Sequence, residues 1–153
     1  MSASRRKRRW RLVRGYAGGT FDLLHYGHIN FLQRCRQQCD HLTVSLNDDD
    51  FAARYKRPPI YPLDQRMEIL RELRSVDDVI VNHGGPNSRP AISEAKADVI
   101  FHGDDWPVGD LLRQLGLDAE YMRSHDLTLK YIPYTEGVST SDTIRRCRQS
   151  QLS

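Results

Sequence analysis

Gly18-Gly19-Thr20-Phe21-Asp22-Leu23-Leu24-His25-Tyr26-Gly27-His28 lies between an apolar run at residues 12–17 and a helical pattern at residues 29–38. That order reads as strand, glycine turn, helix. Glycines let backbone N–H groups come close to a ligand, and a helix start adds unpaired donors and partial positive charge. The junction therefore suits a phosphate. His25 and His28 are i,i+3 neighbours on the first turn, and Gly27 between them leaves room above the rings. The same pair also matches half a zinc site, but no third ligand stands at a useful spacing.

Outward from this junction, apolar stretches and helical patterns alternate. Residues 41–46, 76–81, 98–101 and 127–132 read as four further strands. Asn47 to Asp50 reads as a polar turn whose carboxylates cap a brief helix. Helical patterns follow at residues 62–73, where Leu63, Met67, Leu70 and Leu73 form the apolar stripe, then at 92–95, 111–115 and 141–148. Arg54-Tyr55-Lys56-Arg57-Pro58-Pro59 is a basic loop stopped by its prolines. Such alternation predicts an α/β fold, a doubly wound, Rossmann-like domain with a five-stranded parallel sheet. Ligands of such sheets sit at the strands' C-terminal rim, and each motif here follows a strand or opens a helix.

The chain has 153 residues, 39% hydrophobic and 28% charged, with no run long enough for a membrane span. Its net charge of +3 is uneven: Arg5, Arg6, Lys7, Arg8, Arg9, Arg11 and Arg14 crowd the first 14 residues, which hold no acid. Residues 1–11 read as a flexible basic leader and 12–150 as the catalytic domain. Cys35, Cys39 and Cys147 have no zinc spacing, and no signal peptide pattern is present, so a reducing cytoplasm is the expected location.

Gly19-Thr20-Phe21-Asp22 followed by His25-x-Gly27-His28 resembles the signature of the cytidylyltransferase-like nucleotidyltransferases. The resemblance continues at Arg66, at Gly103-Asp104-Asp105-Trp106 and at Thr135-Glu136-Gly137-Val138-Ser139-Thr140-Ser141, in the family's order. It is nearest to the glycerol-3-phosphate cytidylyltransferase branch. It implies CMP transfer from CTP to a small phosphorylated alcohol such as glycerol 3-phosphate, by direct displacement, with magnesium carried mainly by the nucleotide and no metal ligand named on the protein. His25, His28 and Arg66 are then the catalytic set. Gly19, Thr20, Phe21, Lys56, Arg57, Gly103, Asp104, Asp105 and residues 134–141 would join the histidines around the nucleotide. Arg54, Tyr55, Lys56 and Trp106 would receive the acceptor, while Asp22 caps the turn.

Tyr134 departs from the pattern, standing where the family usually has arginine. Tyrosine can stack or give one hydrogen bond but cannot form a charged bidentate clamp. An adenylyltransferase acting on a sugar phosphate such as a heptose phosphate, and a non-catalytic nucleotide-binding module, remain as alternatives. The family also implies a homodimer; neither nucleic acid nor membrane insertion is expected.

Overall fold

Five strands, all parallel, form one sheet in the order β3-β2-β1-β4-β5. The computed structural model describes residues 11–104 and 108–151. Its elements run β1 (Arg14–Gly19), α1 (Tyr26–Arg36), β2 (His41–Asn47), α2 (Asp49–Tyr55), α3 (Leu63–Arg71), β3 (Asp78–Asn82), α4 (Arg89–Glu94), β4 (Val99–Gly103), α5 (Val108–Gln114), α6 (Ala119–Ser124), β5 (Thr128–Ile132) and α7 (Thr140–Ser150). The expected fold class is the one observed. The leader lies outside the described residues except for Arg11, which pairs with Asp98.

Strand residues alternate between two cores, as a sheet covered on both faces requires. Ala17, Leu42, Val44, Leu46, Val79 and Phe101 pack with Leu32 and Cys35 of α1 and Leu70 of α3. Tyr16, Ile80 and Ile100 point the other way, against Ala91, Ile92 and Ala95. Burial pushes the Cys35 and Cys39 thiols up, so they are inert core groups.

The first strand lies two residues later than its apolar run suggests. Leu12 is 63% exposed, and pairing begins with Arg14 opposite His41. Gly18 and Gly19 are the strand's last residues, opposite Ser45 and Leu46. The chain leaves β1 toward β2 and β3 on one side and later places β4 on the other. The sheet thus reverses direction between β1 and β4, where the loops after the strands part and leave a crevice.

Candidate active site

The loop from Thr20 to His25 crosses that crevice under local strain. Phe21 and Leu23 both hold left-handed backbone, at φ 49° and 48°, which non-glycine residues rarely adopt. His25 then caps α1, although histidine is not a favoured cap residue. Its Nδ1 accepts the Gly27 N–H at 3.1 Å, and His28 Nδ1 accepts the His25 N–H at 3.2 Å. The rings stack with centroids 3.8 Å apart. A Cβ on Gly27 would stand 2.9 Å from His25 Cε1, so the glycine is what admits the ring.

This cap fixes the tautomers. With both Nδ1 atoms accepting, each neutral ring carries its hydrogen on Nε2. Burial lowers the pKa of His25. That of His28 falls to about 4, through burial first and the neighbouring His25 second, with Asp22 opposing. At neutral pH the site therefore offers two uncharged Nε2–H donors. Donors fixed in this way suit charge that develops on a phosphoryl group during transfer.

The Ser-Thr turn meets this loop directly. The Thr140 hydroxyl donates to the Asp22 carbonyl at 3.2 Å, and the Asn30 amide donates to the Thr135 hydroxyl at 3.3 Å. Ser139 caps α7 by accepting the Asp142 N–H at 3.0 Å, and its own O–H can still donate to a ligand. Two helix N-termini from opposite ends of the chain thus open on one cavity of about 260 Å³. Its wall includes Phe21, both histidines, Lys56, Gly103 and residues 133–135 and 138–141. A second cavity of about 770 Å³ adjoins it along β1 and β2, where Gly19, Thr20, Tyr16, Phe51, Tyr55 and Tyr134 contribute to the wall. Its far side is bridged by a hydrogen bond from Gln114 of α5 to Tyr55 of α2.

Arg66 is placed differently from the expected catalytic contact. Its side chain is 1% exposed and lines neither cavity. Nε donates to Tyr61 O at 2.9 Å, Nη1 to Thr20 O at 2.8 Å and Asn47 O at 3.0 Å, and Nη2 to Asp49 at 2.6 Å. Four of its five N–H bonds are spent on the loops behind the site. Its guanidinium ties the Thr20 carbonyl of the first turn to Asn47, Asp49 and Tyr61.

Asp22 also works at a distance instead of capping its own turn. Buried at 4% exposure, it accepts the N–H of Ile60 at 2.7 Å and of Tyr61 at 2.9 Å, with Arg57 at 3.2 Å. Burial alone would raise its pKa; these donors outweigh that and hold it below the usual carboxylate range. Arg57, expected on the nucleotide, is turned toward this pair and the groove beside α7. Arg54 is exposed on α2 and lines neither cavity, whereas Tyr55 and Lys56 line the larger one. Asp104 accepts the Tyr134 N–H at 3.3 Å. Glu136 and Gly137 form the exposed turn before α7, with Gly137 at φ 76°. Asp105 and Trp106 lie outside the described residues.

Outside the set expected from the motifs, Phe31 and His102 line the smaller cavity, and Asn47, Asn82 and Ser88 line the larger one. Position just after a strand was the only signal that could have found His102. No carboxylate lines the smaller cavity, and no three His, Cys, Asp or Glu side chains cluster for a metal among the described residues. These residues do not make a protein-held magnesium site; the ion would arrive on phosphate oxygens. Among the described residues no helix is long and apolar enough to cross a membrane.

Comparison with known proteins agrees with this geometry. The chain is 37% identical to an FAD synthase of Pyrococcus abyssi, over 89% of its own length and 93% of the relative's. It is 33% identical to the bifunctional protein HldE of Pseudomonas putida, over 88% of its length but only 28% of that longer protein. Among solved structures, a lipopolysaccharide core biosynthesis protein from Thermoplasma volcanium superposes with a TM-score of 0.66 at 28% identity, covering 82% of this chain and 98% of that one. The family model described as cytidylyltransferase-like matches residues 16–146, a span that takes in the histidine pair, both cavities and the Ser-Thr turn. The chain belongs to the cytidylyltransferase-like family and is a nucleotidyltransferase.

Proposed function

We propose that the chain transfers AMP from ATP to the phosphate of flavin mononucleotide, releasing pyrophosphate and forming FAD. The observation that carries this choice of acceptor is the larger cavity. At about 770 Å³, with Tyr16, Phe51, Tyr55 and Tyr134 in its wall, it far exceeds what a three-carbon polyol phosphate fills. Its aromatic lining suits a flat ring system. The end-to-end similarity to an FAD synthase supports the same assignment.

The smaller cavity holds the triphosphate between the starts of α1 and α7. An oxygen of the acceptor's phosphate attacks the α-phosphorus, and the bond to the bridging oxygen of the β-phosphate breaks in line with it. The Nε2–H groups of His25 and His28 stabilise the charge that spreads over the phosphoryl oxygens. Lys56 lines both cavities and supplies positive charge where the two substrates meet. Magnesium, carried on the nucleotide's own phosphates, would supply positive charge beside the leaving pyrophosphate.

A rival choice of substrates has its own support. Gly103-Asp104-Asp105-Trp106 favours CTP with glycerol 3-phosphate or another polyol or amino-alcohol phosphate. Similarity to HldE and to the lipopolysaccharide protein favours ATP with a heptose phosphate. Pyrophosphate release is measured with ATP, CTP, GTP and UTP, each paired with FMN, glycerol 3-phosphate and a heptose phosphate, in the presence of magnesium. The expected result is release with ATP and FMN, matched one for one by FAD. Release confined to CTP and glycerol 3-phosphate, or to ATP and the heptose phosphate, contradicts the flavin assignment. A homodimer belongs to the same proposal and is read by sedimentation equilibrium.

A further inference from the structure

Gly103 and Tyr134 are matched across the end of the sheet. A Cβ on Gly103 would stand 2.4 Å from Tyr134 Cζ and 2.6 Å from both Cε2 and Oη, closer than atoms can approach. Gly103 is not among the glycines with positive φ, so its backbone does not demand glycine. What it provides is space, and the tyrosine ring fills it. The main chain is pinned beside it, with the Tyr134 N–H donating to Asp104 at 3.3 Å.

The tyrosine is 57% exposed and belongs to neither core, and what marks its seat is the location. Gly18, Lys56, His102 and Tyr134 are the residues common to the walls of both cavities, and the tyrosine is the largest of them.

We propose that Tyr134, seated on Gly103, is the partition between the two substrates. It is a positioning residue that keeps nucleotide and acceptor in separate chambers, so that they meet only in the gap beside Gly18 and Lys56. The inference rests on the functional reading above only in assigning one substrate to each cavity, and it holds whichever acceptor fills the larger one. Removing the ring merges the chambers. Each substrate still binds through its own contacts, but the attacking oxygen and the α-phosphorus are no longer held in line, and a displacement of about 1 Å can cost 100-fold in rate.

The test is a double-mutant cycle in steady-state kinetics, run with the nucleotide and acceptor that release pyrophosphate with the wild-type protein in the panel above. Failure of the flavin assignment changes only that pair, so the two failures are separable. Tyr134→Ala is expected to lower kcat about 10- to 100-fold with both KM values within about 3-fold of wild type. Tyr134→Phe keeps the ring and is expected to retain kcat within about 3-fold. Gly103→Ala unseats the ring and should reproduce the Tyr134→Ala profile, with the double variant no slower than Tyr134→Ala alone. If Gly103→Ala does not fold, Tyr134→Leu, which lacks the flat ring, takes its place and should match Tyr134→Ala. A KM rise for one substrate at unchanged kcat would overturn the partition, as would Tyr134→Phe losing as much as Tyr134→Ala. Losses that multiply in the double variant would overturn it too.

Discussion

Under the proposed function His25 and His28 each do two jobs with one ring. Nδ1 completes the first turn of α1, and the Nε2–H is the donor offered to the phosphates. Substitution can separate the two, because asparagine places an oxygen near Nδ1 and glutamine one near Nε2. His28→Asn is expected to keep the cap yet lose two to three orders of magnitude in kcat, about 3–4 kcal/mol of transition-state stabilisation. The same variant should change acid stability. His28 ordinarily titrates at 6.5 and is held at about 4 in the fold, so the unfolded chain takes up this proton first. The stability that the neutral ring confers is complete above pH 6.5 and drains away as pH falls toward 4, about 3 kcal/mol in all. Urea unfolding between pH 7 and 4 should show this slope in the wild type and lose it in His28→Asn. A full-activity variant, or an unchanged slope, would contradict the dual role. The histidine pair was legible in the sequence because i,i+3 spacing on a first turn needs no knowledge of the fold. The seat of Tyr134 was not, since its partner is 31 residues away at the end of β4 and neither residue is unusual alone.

At the scale of elements, the strands were legible as apolar runs and their starts were not. Leu12 and Val13 are as apolar as strand residues, but β1 begins where β2 can pair with it, and the two glycines are thereby drawn into the strand. α1 starts three residues before its apolar pattern because His25 caps it, a signal that cap preferences do not contain. Arg66 was legible through the family resemblance. Its partners Thr20, Asn47, Asp49 and Tyr61 come from three separate stretches, past β1, at the β2–α2 junction and ahead of α3, which the sequence cannot bring together. Arg66→Met leaves three carbonyls without their donor and is expected to cost about 2–4 kcal/mol in urea unfolding. Because these loops carry Thr20 and the approach to Lys56, kcat should fall as well. Arg66→Met with native stability but no turnover would instead place the guanidinium on substrate.

Over the whole molecule, the parallel order β3-β2-β1-β4-β5 is what turns scattered motifs into one site. The first turn and the Ser-Thr turn are more than 100 residues apart in sequence, yet Thr140 bonds to Asp22 because β1 and β5 lie on the two sides of β4. The sheet reversal between β1 and β4 gives the crevice, and two helix N-termini opening on it suit it to phosphate. Which acceptor fills the larger cavity was beyond the sequence motifs, since its wall is drawn from α2, α5 and the strand ends together. In the proposed function the imidazole pair and the Ser-Thr turn hold one triphosphate between them. A crystal structure with a non-hydrolysable ATP analogue and magnesium tests it most directly. The Nε2 atoms of His25 and His28 should lie within hydrogen-bonding distance, about 3 Å, of oxygens on the α-phosphate or its leaving group, with the Ser139–Ser141 turn on the opposite side of the same phosphates. Phosphates bound in the groove between Arg57 and α7, with both imidazoles unoccupied, would contradict the account.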